Sequence, residues 1–386
     1  MALKDLSQST SYRSQMATRA DISFLEKLQT IPNVMTVIVN VLASLFTAAI
    51  YSKDSKPAGG LYKHVAFTGI RTMIRKMSVK QIHYLNPHTD DAYVIFCKKN
   101  KLVPNSEVLP DGTRAHWIGD RKADVLIMNF HGGGYVIPAG PDHFELMHQI
   151  VRILNTTTPQ KSVAILFLAY DLAPTAIYPR QLQQAALLLN HVIQNLHVAP
   201  SNIILTGNSA GANLVTGLLS HISHPHPSLE IPIPKVEIAE DIRAAMLLNP
   251  WVSFDTDEAS YKRNTYKDTL VAGTLQNWSA AFIGEAWPFS QKSDYYNQAV
   301  TAPASWWSGL RIGKVLVIGG GDEVLIDGIK IFAGKLKEGL GEERVELCVV
   351  KGGYHDQINI DLTLGYSEEA EGEQAKLMKR WLRSKL

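Results

Sequence analysis

The chain has 386 residues, 46% of them hydrophobic and 19% charged, with 27 glycines and 18 prolines scattered along it. This supplies a large buried core and excludes a disordered or collagen-like chain. Lysine and arginine total 38 against 36 acidic residues, so a formal charge of +2 gives no electrostatic case for nucleic acid. Cys97 and Cys348 are the only cysteines, too few for a disulfide scaffold or a cysteine-rich zinc site, and they read as reduced, half-buried thiols.

Residues 34–51, VMTVIVNVLASLFTAAIY, form an 18-residue run without a charge. A bilayer span needs about 20 apolar residues. Residues 1–33 of mixed polarity precede the run, which speaks against a cleaved signal. Within it Thr36, Asn40, Ser44 and Thr47 fall on one stripe of a helix, with larger apolar residues on the other faces. Two readings stand, a cap helix packed on the protein and a membrane anchor. Residues 51–80 carry seven Lys or Arg and one Asp, so a span would keep its C-terminal side cytoplasmic, as at the endoplasmic reticulum. Leu61, Val65, Phe67, Ile70, Ile74 and Met77 recur at mostly helical spacing among the basic residues, which also suits a surface-lying amphipathic helix. Any membrane association would run through residues 34–77. Residues 1–112 are accordingly expected to form an N-terminal cap region, set apart from the domain of residues 113–386.

From about residue 113 short runs rich in Val, Ile and Leu alternate with helical patterns. They are DVLIMNF (124–130), SVAILFLAY (162–170), NIILTG (202–207), AAMLLNP (244–250), KVLVIGG (314–320) and RVELCVV (344–350). Runs apolar on both faces suit strands of a parallel sheet covered on each side, so an α/β doubly wound sheet is predicted. Residues 180–197 read as a helix with Pro179 at its first position, and 367–384 as a closing amphipathic helix. Residues 251–311 lack a clear strand and hold five of the seven tryptophans, which predicts an insertion over the C-terminal edge of the sheet.

Four motifs sit at ends of predicted strands. Gly207-Asn208-Ser209-Ala210-Gly211 is a G-x-S-x-G between a strand and a helix, where a sharp turn would expose the serine hydroxyl. His131-Gly132-Gly133-Gly134 can aim successive backbone N–H groups at one point. It could also cradle phosphate, but neither this run nor Gly319-Gly320-Gly321 completes G-x-G-x-x-G, and no Walker-type motif occurs. Gly321-Asp322-Glu323 and Gly352-Gly353-Tyr354-His355 follow the last two strands, in the chain order serine, acid, histidine. His221, His224 and His226 lie in HISHPHP with no carboxylate or cysteine nearby, and are set aside as a metal site.

HGGG, YDLAP (170–174), GNSAG and the late acid and histidine together resemble the hormone-sensitive-lipase-like branch of the α/β-hydrolase fold. The N-terminal segment, the region from Lys63 to Arg75 and the Trp-rich insertion are most similar to its fungal steryl-acetyl-hydrolase-like esterases. The resemblance implies a serine esterase with a helical cap and no metal or organic cofactor. It assigns Ser209 as nucleophile, His355 as general base and acid, and the N–H groups of Gly132, Gly133 and Ala210 as oxyanion hole. The family's acid motif D-x-L-x-D aligns with Glu323-Val324-Leu325-Ile326-Asp327, which favours Glu323 over Asp322 as the acid. The family's usual GDSAG has Asn208 in place of its aspartate. Tyr135, Trp251, Trp306 and Trp307 are expected as pocket walls. The expected reaction is hydrolysis of an ester of a bulky apolar alcohol, such as an acetylated sterol, terpenoid or polyketide. An acyltransferase or cyclase of natural-product assembly is the alternative enzyme. A ligand receptor on the same scaffold is a third reading, which the intact Ser209 and His355 disfavour.

Overall fold

The computed structural model describes residues 22–47, 60–158, 160–289 and 294–386. The described chain opens with α1 (Phe24–Thr47), α2 (Gly60–Lys76), α3 (Val79–Leu85) and α4 (Thr89–Lys99). Residues 48–51 of the apolar run lie outside the described residues. The helix starts ten positions before the run, because Glu26 and Ser23 cap each other's backbone and side chain there. Its polar stripe turns inward. Asn40 Nδ2 donates to Thr72 Oγ1 of α2 at 3.3 Å, Asn33 Nδ2 to Gln81 Oε1 of α3 at 3.2 Å, and Ser44 is buried. The apolar residues face outward, with Phe24 77% and Phe46 79% exposed and Ile31, Met35, Val39 and Leu42 about half so or more.

The strands β1 (Ser106–Val108) and β2 (Arg114–Ile118) come next, then β3 (Val125–Phe130), α5 (Pro141–Thr157) and β4 (Val163–Ala169). They lead to α6 (Arg180–Gln194), β5 (Ile203–Asn208), α7 (Ala210–Ser223) and β6 (Ile242–Leu248). The insertion carries α8 (Ala259–Asn264) and α9 (Ala272–Ile283). The chain closes with β7 (Ile312–Gly320), α10 (Ile326–Leu340), β8 (Val345–Val350), α11 (Gln357–Thr363) and α12 (Glu373–Arg383). The eight strands form one sheet in the order β1-β2-β4-β3-β5-β6-β7-β8, parallel from β4 onward and antiparallel at the β1–β2–β4 edge.

All six predicted strands are present. The edge strands were not foreseen, and they place the start of the sheet at Ser106, ahead of residue 113. Their short, mixed-polarity sequences SEV and RAHWI carry no apolar run to betray them. Pro179 caps α6 instead of occupying its first turn. Among the described residues, 251–311 contain helices and 3-10 turns without a strand.

The alternation of side chains across the strands builds two cores. Leu126, Met128 and Phe130 of β3 and Val315 and Val317 of β7 join the core on one face. Val125, Ile127, Leu316 and Ile318 join the core on the other. Cys97 lies wholly buried in the second, not half-buried as expected, and Cys348 is half-buried. Because the strands from β4 to β8 run parallel, their C-terminal ends share one edge. The glycine run, the serine turn, the acid turn and the histidine loop all leave from it.

Candidate active site

Ser209 occupies the turn between β5 and α7 with φ 53° and ψ −118°, a conformation that costs a non-glycine residue about 1–3 kcal/mol. The end of β6 holds it there. Ser209 N–H donates to Leu248 O at 2.8 Å, and Trp251 N–H donates to Ser209 O at 3.2 Å. The motif's second glycine is a steric necessity, since a Cβ at Gly211 would lie 1.9 Å from Phe130 O. A branched side chain there would push α7 off β3.

Ser209 Oγ lies 2.8 Å from His355 Nε2, and His355 Nδ1 lies 2.8 Å from Glu323 Oε2. A carboxylate only accepts, so Nδ1 carries the proton and leaves Nε2 free to accept from the serine hydroxyl. The other oxygen of Glu323 accepts from Asn249 Nδ2 at 2.8 Å and from Gly320 N–H at 2.6 Å. Glu323 has no exposed surface, and these donors satisfy it away from water. Asp322 points elsewhere, pairing at 3.5 Å with Lys267 on a partly exposed face. Burial lowers the proton affinity of His355, but the hydrogen bond and charge of Glu323, with Asp268 and Asp356 behind, outweigh it and raise the imidazole above its ordinary value.

The glycine run follows β3. Gly133 adopts φ +99°, and its carbonyl closes a turn by accepting from Val136 and Ile137 N–H at 3.0 and 2.8 Å. His131 is buried beneath it, its Nδ1 donating to Gly132 O at 2.8 Å and its ring stacked on Tyr170 at 4.1 Å. Burial first, then the nearby His143, hold His131 down to about 3, so it stays neutral and braces the loop. Ala210 is the first residue of α7, where a helix leaves its N–H without an intrahelical acceptor. Gly133 and Ser209 open on one cavity of about 130 Å³, whose apolar walls are Ile70, Ile74, Leu270, Leu275, Trp278 and Ile360.

The expected pocket aromatics are elsewhere. Tyr135 is buried, stacked on Phe282 at 3.8 Å with its hydroxyl donating to Asn213 at 2.7 Å. Trp251 packs on Phe254 and Trp307 on Phe332, both fully buried. Trp306 stacks on His224 at 4.0 Å and donates to Ser220 Oγ at 3.1 Å. Tyr135 and Trp251 pack on Phe282 and Phe254 of the insertion, Trp306 and Trp307 turn to His224 at the end of α7 and Phe332 of α10, and none of the four lines the cavity. Trp278, from the same Trp-rich stretch, lines it instead. Asn249, Asp268, Leu270, Leu275 and the α2 pair Ile70 and Ile74 were not foreseen. Asn249 alone had a legible signal, its position at the C-terminal end of a predicted strand. His221, His224 and His226 go to Pro234 O, Trp306 and the Tyr178–Asp294 pair, and no metal-ligating group of three occurs among the described residues.

A family model for the alpha/beta hydrolase fold matches residues 127–359, more than half of the chain. The chain is 24% identical over 241 residues to steryl acetyl hydrolase 1 of Saccharomyces cerevisiae, a match covering 60% of this chain and 51% of that protein. The match therefore spans about half the length of that curated relative. Among solved structures, an esterase/lipase from an uncultured bacterium superposes with a TM-score of 0.60 at 18% identity, over 83% of this chain and 98% of that one. An esterase of the bacterial hormone-sensitive lipase family gives 0.58 at 20%, over 91% and 98%. Carboxyl esterase 2 of the mycorrhizal fungus Tuber melanosporum gives 0.57 at 19%, over 74% and 87%. At such identities these likenesses speak for the architecture, and with the family match they establish that the chain belongs to the α/β-hydrolase fold family.

Proposed function

We propose that the protein is a serine carboxylesterase that cleaves a short acyl group from a bulky apolar alcohol. The observation that carries this is the continuous line Ser209 Oγ–His355–Glu323, with 2.8 Å at each link, opening on an apolar cavity. A serine hydroxyl is a weak nucleophile at neutral pH and needs a base as it attacks. His355 Nε2 takes the proton while Ser209 Oγ bonds to the ester carbon, and the carbonyl pair moves onto oxygen. The N–H groups of Gly132, Gly133 and Ala210 receive that oxyanion, where each donor contributes about 3 kcal/mol. Collapse breaks the C–O bond to the alcohol, which leaves with the proton from His355. Water then attacks acyl-Ser209 with His355 as base, releasing the acid and restoring the hydroxyl.

The cavity supports the substrate class. Its apolar walls stand beside Ser209 and His355, where the acyl end of an ester would sit, and one side of it is open. A bulky alcohol would extend through the open side. An acetylated sterol, terpenoid or polyketide has this shape, and steryl acetyl hydrolase 1 is named for such an ester.

α1 supports a membrane-bound location, being long and apolar enough to cross a bilayer by length and composition. Its inward polar stripe and outward apolar face reverse the order of a helix facing water, and suit a hydrocarbon phase. Because α1 packs along α2, its outward face would rest on the membrane from the side of the catalytic part, and the basic residues 51–80 favour the cytosolic side.

The test is turnover of p-nitrophenyl acetate with active-site titration by an organophosphonate. The parent should hydrolyse the ester and take one phosphonate at Ser209, and Ser209→Ala should do neither while keeping its fold. Residual activity within about tenfold of the parent would assign the chemistry to another nucleophile. Product found on an added alcohol instead of water would identify acyl transfer.

A further inference from the structure

One fully buried carboxylate stands outside the line of Ser209, His355 and Glu323. Asp268 lies in the insertion between α8 and α9, with no exposed surface. Its Oδ1 accepts from the backbone N–H of His355 at 3.0 Å and of Thr269 at 2.7 Å, and its Oδ2 accepts from Val324 N–H at 2.8 Å. His355 belongs to the loop after β8, and Val324 follows Glu323 in the turn after β7. One side chain therefore joins the two loops that carry the base and the acid. Backbone bonds also join the two loops, the last from Asp322 N–H to Gly353 O at 2.8 Å, but they stop short of Val324 and His355, which Asp268 holds.

The surrounding segment is fastened on both sides. Asn264 Nδ2 donates to Glu323 O at 2.8 Å and to Gly321 O at 3.3 Å, and Ser260 Oγ donates to Val324 O at 2.5 Å. On the opposite side Arg71 of α2 donates to Asp268 O at 2.6 Å and Tyr266 O at 3.4 Å. Burying a carboxylate without a bound cation is costly unless hydrogen bonds satisfy it. Three backbone donors do so here, and two come from the catalytic loops.

We propose that Asp268 is a positioning residue that holds His355 and Glu323 in mutual register through the N–H groups of His355 and Val324. The inference rests on the serine-hydrolase reading of the site. The charged groups facing His355 are Glu323 from the turn after β7, Asp268 from the insertion and Asp356 beside it, the last also facing His143. All three carboxylates favour the imidazolium, so Asp268 acts on the proton affinity of His355 as well as on its place. Burial pushes Asp268 itself up to about 6.

Asp268→Asn tests this, because it keeps the shape, removes the charge and sets an NH₂ against one of the N–H donors. Per phosphonate-titrated site, kcat should fall about 10- to 100-fold while KM moves by less than about twofold, as for a lost charge-assisted hydrogen bond acting in the transition state. The acidic limb of the kcat/KM profile should move to lower pH. A structural role alone would reduce the number of titratable sites without moving the limb, and an unmoved limb with unchanged kcat per site overturns the proposal. If Asp268→Asn yields no folded protein, amide exchange on the parent decides. Protection at His355 and Val324 should weaken as pH falls through about 6, where Asp268 takes up its proton. Protection that does not respond overturns the proposal. A parent that neither turns over ester nor takes phosphonate would sink the hydrolase reading instead, while the exchange result still reports on Asp268.

Discussion

Glu323 and Asp322 are neighbours with opposite surroundings, and the contrast predicts their roles. Glu323 is fully buried, with Asn249 and Gly320 on one oxygen and His355 on the other. Glu323→Gln should lower kcat by about 10⁴-fold, because an amide cannot fix the productive imidazole tautomer or stabilise the imidazolium. Asp322→Asn loses only a partly exposed ion pair with Lys267, and turnover should stay within about fivefold of the parent. The reverse ranking in steady-state assays would place the acid at Asp322. The pH profile has a definite sign. Catalysis needs neutral His355, whose folded value is raised, so activity should climb through a midpoint above the ordinary imidazole value of about 6.5. Glu323→Gln should lower that midpoint. Protonated His355 also favours the folded state at low pH, a contribution complete below about 6.5 and lost as pH rises through the folded value.

At the scale of elements, α2 connects the N-terminal region to the chemistry. Ile70 and Ile74 line the cavity, Arg71 grips the Asp268 segment, and Lys63 forms a buried pair with Asp361 of α11 at 2.8 Å. Lys63 also lies over the ring of Tyr354, next to His355, at 4.7 Å, and Tyr354 donates its hydroxyl to Asp361. The helix α1 touches none of the catalytic groups and packs chiefly along α2 through its polar stripe. Removal of residues 1–52 should therefore release the protein from membranes while p-nitrophenyl acetate turnover persists. Sedimentation with and without detergent checks this. A full-length protein that stays in the supernatant at low salt would make α1 a cap helix, and truncation should then damage stability or substrate binding.

At the scale of the molecule, the cavity is assembled from five distant stretches: α2, the glycine run after β3, the turn of Ser209, the insertion, and the segment from His355 to Ile360. Trp278 of the insertion sets its size. A Cβ on Gly134 would lie 2.4 Å from its ring, so glycine run and indole already touch. Trp278→Ala should enlarge the acyl end and shift preference from p-nitrophenyl acetate towards butyrate and longer esters. The cost in stability should be about 3–5 kcal/mol, as for other buried tryptophans cut to alanine, measured by denaturant unfolding. An unchanged chain-length profile with lowered stability would mean that the acyl group does not meet Trp278.

Local pattern was enough for the strands from β3 to β8, for the placement of Ser209, the Asp322-Glu323 turn and His355 at strand ends, and for the helix around residue 40, while the choice of Glu323 over Asp322 came from the family motif. Apolar runs, a G-x-S-x-G turn and chain order are properties of neighbouring residues, and parallel strands then bring their ends to one edge. Tertiary structure alone decided which aromatics face the cavity. Tyr135, Trp251, Trp306 and Trp307 have the same apolar character as Trp278, and packing partners, most of them distant in the chain, divide them. The same holds for Asp268 and for the polar face of α1. An isolated aspartate in an insertion carries no local sign that two catalytic loops will donate to it, and a stripe of Asn and Ser does not reveal whether it will meet protein or water. Periodicity fixes which residues share a face, but long-range contacts decide what that face touches.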